Sequence, residues 1–160
     1  MSADSTTISL KQPMAYRPIL WGGLIAGSLD ITAACVNSAF RGRSPMWVLK
    51  SIASGLLGPD SYNSGYRAAA LGLVIHFFIA FVACLVFYTL SRKLEFLVRR
   101  AVVCGILYGV AVYLVMYGIV LRVTFHRSFF YPLSAVIIAV LIHMFCVGLP
   151  ISLAVRRYSK

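Results

Sequence analysis

Charge is what this chain has least of: 12% of its 160 residues are Asp, Glu, Lys or Arg, about half the usual share. Hydrophobic residues make up 61%, against roughly 45–50% in soluble domains. Too few polar side chains remain to cover a wetted exterior, so a water-soluble fold is excluded. The nucleophile elbow, the H-E-x-x-H pair and the phosphate loop are also missing, which removes the usual signatures of hydrolase, metalloprotease and nucleotide chemistry. No C-x-x-C pair occurs either. Cys35, Cys84, Cys104 and Cys146 stand one in each apolar run, where they read as small buried hydrophobes rather than disulfide partners. Acidic residues number 4 against 15 Lys and Arg, for a net charge of +11. In a soluble protein that excess would suggest nucleic acid. Here the cations gather at the ends of apolar runs, as in Arg92, Lys93, Arg99 and Arg100 or Arg156, Arg157 and Lys160. Such positions meet anionic headgroups, and no basic stripe interleaved with exposed aromatics is present. Membrane lipid is the expected partner and nucleic acid is not.

What is present in quantity is apolar length. About 20 mainly apolar residues cross a bilayer core as a helix, and four stretches qualify: 18–40, 68–90, 101–121 and 132–155. The predicted fold class is therefore all-α, a polytopic membrane four-helix bundle occupying residues 17–157 after a disordered polar N-terminus at 1–16. The first run is too long for a signal-peptide core and reads as a retained helix. Pro132 suits a first helical turn, where a missing N–H costs nothing. An even number of spans puts both termini on one side. That side carries nine of the 15 basic residues, so the positive-inside rule places the termini in the cytoplasm. Between the first two spans, Ser44 and Pro45 start a short helix and Gly58-Pro59 ends it. Its mixture of Met46, Val48, Leu49 and Ile52 with Lys50, Ser51 and Ser54 predicts an amphipathic interfacial helix over 45–57. Tyr62, Tyr66, Phe129, Phe130 and Tyr131 flank span ends as an aromatic belt.

A pattern recurs. Gly23-Leu24-Ile25-Ala26-Gly27 in the first span and Gly105-Ile106-Leu107-Tyr108-Gly109 in the third are both G-x-x-x-G, a motif that lets helix backbones approach. Leu73 to Phe78 (L-V-I-H-F-F) in the second span matches Val140 to Phe145 (V-L-I-H-M-F) in the fourth. The order of glycine motif then histidine motif occurs twice, which predicts two pseudo-symmetric helical hairpins with the interfacial helix inserted in the first. The same glycine faces suit association into a homodimer or larger membrane complex.

Three ionisable residues lie deep in the spans: Asp30, His76 and His143. Counted at 1.5 Å per residue, they sit roughly 16, 14 and 18 Å from the loop-side ends. Three-and-four spacing puts each on a face of small residues, which belong at helix contacts, so all three are expected to point inward as one polar layer. Ionisable groups within a membrane are costly and mark functional sites by default. Several readings compete. Asp30 can accept hydrogen bonds from the imidazoles and lock the bundle. The layer can carry protons or ions, since histidine changes charge near neutral pH, with Tyr113 or Tyr117 extending the path. His76 and His143 can ligate haem b from facing helices, with Gly72 leaving room for the ring. The three together form a two-His-one-carboxylate metal set. The expectation is a non-enzymatic, transporter-like or accessory membrane protein without a cofactor, with a bis-histidine b-type cytochrome as the alternative. His126, between Arg122 and Arg127, reads as a loop residue.

Gly22 to Asp30 (G-G-L-I-A-G-S-L-D), Ile52 to Gly58 (I-A-S-G-L-L-G), His76 to Ala80 (H-F-F-I-A) and His143 to Ile151 (H-M-F-C-V-G-L-P-I) resemble a group of small four-helix bacterial inner-membrane proteins. More distantly, the chain looks like YagU-type proteins. The resemblance implies a bacterial cytoplasmic membrane; it carries over no activity and no catalytic residue.

Overall fold

The computed structural model describes residues 16–125 and 132–158. The N-terminal segment, His126, Arg127 and the aromatic run 129–131 lie outside them. Every regular element among the described residues is helical. Four helices are long and apolar enough to cross a membrane: Tyr16–Ala39, Gly65–Ser91, Ala101–Thr124 and Leu133–Tyr158. The chain is thus built as a multi-pass membrane protein.

The first span is α1 (Tyr16–Ala39), followed by α2 (Pro45–Leu57) and a short 3₁₀ turn at Pro59–Tyr62. The second span is the uninterrupted α3 (Gly65–Ser91), after which α4 (Phe96–Arg99) makes the connection. The third span runs through α5 (Ala101–Val115), a π-helical segment (Met116–Val120) and α6 (Leu121–Phe125). The fourth runs through α7 (Leu133–Ile142), a second π-segment (His143–Gly148) and α8 (Leu149–Tyr158). The second π-segment has a cause in the sequence. Pro150 has no N–H to donate to the carbonyl four residues back, so the α ladder is broken there. Leu149 N–H instead reaches back five residues to Met144 O. In the first π-segment Leu121 N–H does the same to Met116 O.

Small residues sit inside and large ones outside. Ala26, Cys84, Val147, Ile151 and Val155 surround Phe87 and Tyr88 in the core, while Val74, Phe78, Leu107, Leu114 and Ile137 are exposed on the lipid-facing exterior. Where water drives no helix association, close backbone packing must hold spans together, and the glycines show where. A Cβ at Gly27 would meet Phe77, and one at Gly23 would meet Phe81, so these two seat α1 against rings of α3. Gly109 rests on the main chain of His143 and Met144, and Gly105 on Gly148, so α5 meets the second π-segment backbone to backbone. Both G-x-x-x-G faces are consumed within the chain, which removes them from the exterior surface on which a dimer was expected to form. The third span is tied to the second by Tyr108, whose hydroxyl donates to Ala83 O at 2.7 Å and whose ring meets Phe87 edge-on at 5.0 Å. Tyr108→Phe should lower stability by about 0.5–1.5 kcal/mol, seen as a small fall in the thermal midpoint of the detergent-solubilised protein with unchanged helical content.

α2 begins where Ser44 Oγ accepts from Trp47 N–H at 3.2 Å and ends at Gly58, whose φ of +71° suits glycine. It does not simply float on the membrane surface. Gly72 of α3 lies directly against the Leu49 carbonyl, and a Cβ there would stand 3.3 Å from Ala53 N. The 3₁₀ turn clasps the other side: Lys50 Nζ donates to Tyr62 O at 2.9 Å, and the buried Ser61 donates to Lys50 O at 3.1 Å.

Candidate functional site

The polar groups of the spans fall into two clusters instead of one layer. In the first, His76 Nε2 lies 2.9 Å from Gly27 O across the α1–α3 contact. A carbonyl only accepts, so Nε2 carries a proton. The ring meets Phe77 edge-on at 5.6 Å. Gly27 makes the contact possible, because a Cβ there would stand 2.8 Å from the Phe77 ring.

The second cluster surrounds the π-segments. His143 Nδ1 donates to Ala139 O, one turn back in its own helix, at 2.8 Å. Nδ1 therefore carries a proton, because a carbonyl only accepts. Tyr113 and Tyr117 stack at 4.5 Å and both stand perpendicular to the His143 ring, at 5.6 Å and 6.0 Å. Tyr113 is buried. Tyr117 lies in one π-segment and His143 heads the other, so the two widened turns are linked through this ring pair. Such turns are frequent at functional sites because they re-aim side chains out of the α register.

Asp30 belongs to neither cluster. It is half-buried on α1, one turn beyond the carbonyl that holds His76, and α1 packs against the second π-segment. Among the described residues, the hydrogen bonds of the two imidazoles run to main-chain carbonyls. Any Asp30–His76–His143 layer would therefore form around imidazoles that each already bond a main-chain carbonyl.

The same geometry tests the metal and haem readings. Among the described residues no group of three or more His, Cys, Asp or Glu converges on a point that could hold a metal ion. The haem reading needed Gly72 to leave space for a ring, and that space is filled by the Leu49 main chain. The residues present do not fit a bis-histidine haem. Sequence reasoning missed the Gly148 contact and both π-segments. Pro150 four residues after Cys146 was the available signal for the second.

The fold and these clusters define a multi-pass, all-helical membrane protein with isolated polar groups in its spans. No protein-family model, curated protein or solved structure matches the chain.

Proposed function

We propose that the protein is a non-enzymatic component of the bacterial cytoplasmic membrane, transporter-like or an accessory subunit, in which Asp30 and His143 exchange protons along the seam between α1 and the fourth span. The observation that carries this reading is Asp30 itself. It is the only carboxylate within the four spans, and a carboxylate kept in a bilayer for structure alone is expected to be hydrogen-bonded. Asp30 instead stands half-buried on α1, the helix that packs against the second π-segment. His143 heads that π-segment, whereas His76 bonds Gly27 O across the α1–α3 contact. Positive residues at the terminal side favour cytoplasmic termini.

The duplicated-hairpin architecture is part of the same reading, and contact register supports it. In the first hairpin Gly27 meets the residue after His76, and Gly23 meets the residue five after it. In the second, Gly109 meets His143 itself and the residue after it, and Gly105 meets Ser152 and the residue five after His143. Equal offsets in both hairpins are what a repeat produces. Asp30 then breaks the symmetry, since Val112 holds its place in α5.

The test is proton movement in proteoliposomes under an imposed pH gradient, followed with a trapped pH dye. Wild-type protein should conduct, and Asp30→Asn should cut the rate at least about tenfold, as expected for loss of a required relay group, with unaltered helical content. Wild-type vesicles no leakier than empty ones would end the reading. Loss of folding in Asp30→Asn would give Asp30 to bundle packing instead.

A further inference from the structure

We infer that the groove between α1 and α8 is a binding site for an anionic phospholipid, with an acyl chain along the groove and its phosphate at Arg157. The inference does not depend on proton exchange at Asp30. The groove has a volume of about 360 Å³, within the range of small-molecule sites. Ile25 and Leu29 form one wall, and Leu149, Pro150, Leu153 and Ala154 form the other. All six are aliphatic, so the groove offers nothing to a polar ligand along its length. From Leu149 to Arg157 it runs about 12 Å along the helix, a distance that takes a stretch of extended acyl chain. Gly22 and Ala154 bring the two helices together, with a Cβ at Gly22 standing 3.4 Å from Ala154 Cβ. Outside that contact the larger side chains splay apart and leave the channel.

One end differs in chemistry. Arg157 and Tyr158 line it, and Trp21 stacks on Tyr158 with ring centroids 6.4 Å apart and planes 22° from parallel. A Trp–Tyr pair beside an arginine marks headgroup level. Arg17 stands one turn before Trp21 on the same face of α1, whose first turn has no acidic residue. α8 contains no acidic residue at all. The Arg157 guanidinium at the end of an apolar groove matches a phosphate followed by a hydrocarbon chain, and guanidinium binds phosphate in bidentate fashion. A second copy of the chain is disfavoured as occupant because it would bring the same excess of positive charge to this mouth.

Trp21 is a built-in reporter, since Trp47 is the other of the chain's 2 tryptophans. The full chain carrying Trp47→Phe would be reconstituted in phosphatidylcholine vesicles containing either acyl-brominated phosphatidylglycerol or acyl-brominated phosphatidylcholine. The brominated anionic lipid should quench Trp21 with about fivefold stronger apparent association, roughly what one arginine contributes at an anionic surface. Arg157→Gln should abolish that preference, and Lys93→Gln, which removes a charge elsewhere on the same side, should leave it intact. Leu153→Phe, which fills the groove, should weaken quenching by both lipids. Equal quenching by the two lipids overturns the assignment, as does a preference that survives Arg157→Gln or falls equally in Lys93→Gln. Efficient cross-linking between copies through Leu29→Cys would place a second chain in the groove and also overturn it.

Discussion

Gly148→Ala should destabilise the protein by about 1–3 kcal/mol, even though alanine is the better helix former by about 1 kcal/mol. The sign follows from what the added methyl meets. A Cβ at Gly148 would run into Gly105 O and Gly109 N and would stand 2.7 Å from Gly109 Cα. These are main-chain atoms of a facing helix, so no rotamer change relieves the overlap and the third and fourth spans must separate. Separation would also pull His143 from Tyr113 and Tyr117. Two controls isolate the cause. Gly118→Ala adds the same methyl into open space, so helix propensity alone decides and the variant should be as stable as wild type or slightly more so. Gly27→Ala meets the Phe77 ring at 2.8 Å, a side chain able to shift, and should fall between the two. Thermal unfolding in one detergent, followed by circular dichroism, ranks the three. A Gly148→Ala midpoint at or above that of Gly118→Ala would refute the backbone contact.

The contrast between these glycines shows where sequence reasoning reached its limit. Span positions are legible because the bilayer imposes a length on apolar runs, and Ser44, Pro45 and Gly58 mark the ends of α2 because caps have local chemistry. The G-x-x-x-G pairs announce close approach but not the partner, since any facing helix satisfies them. The polar residues illustrate the harder problem. Depth and helix face put Asp30, His76 and His143 at one level, yet hydrogen bonding is decided by tenths of an ångström and by which acceptor is nearest. Gly27 O and Ala139 O are main-chain atoms, present at every residue and invisible as a pattern. The Tyr113–Tyr117–His143 cluster depends on two π-segments, each of which rotates every later side chain relative to an ideal helix.

Gly72→Ala should release α2 from the bundle. Gly72 lies in the second turn of α3, where the Leu49 carbonyl occupies the space a Cβ would need, Leu49 C would stand 2.8 Å from it, and Ala53 N would stand 3.3 Å away. As at Gly148, the obstruction is main chain, and the whole of α2 must move to clear it. The hydrogen bonds from Lys50 to Tyr62 O and from Ser61 to Lys50 O would resist, at about 1 kcal/mol each. They join α2 to the 3₁₀ turn, however, and not to the body of α3. α2 also packs along α3 with Val48, Ala53 and Ser54 buried, so the release expected here is a local opening of a peripheral helix and not global unfolding. The readout is labelling of Ser54→Cys, a buried position on α2, by a membrane-impermeant maleimide. In the parent protein the thiol should react slowly, and adding Gly72→Ala should speed labelling at least about tenfold, corresponding to roughly 1.4 kcal/mol of opening free energy. The rest of the bundle should keep its helical content, because the α1–α3 and α5–π contacts do not involve Gly72. Unchanged labelling would mean that α2 is held by its apolar face alone, with Val48 and Ala53 as its anchors. Faster labelling together with loss of the bundle would mean that α2 is part of the cooperative core.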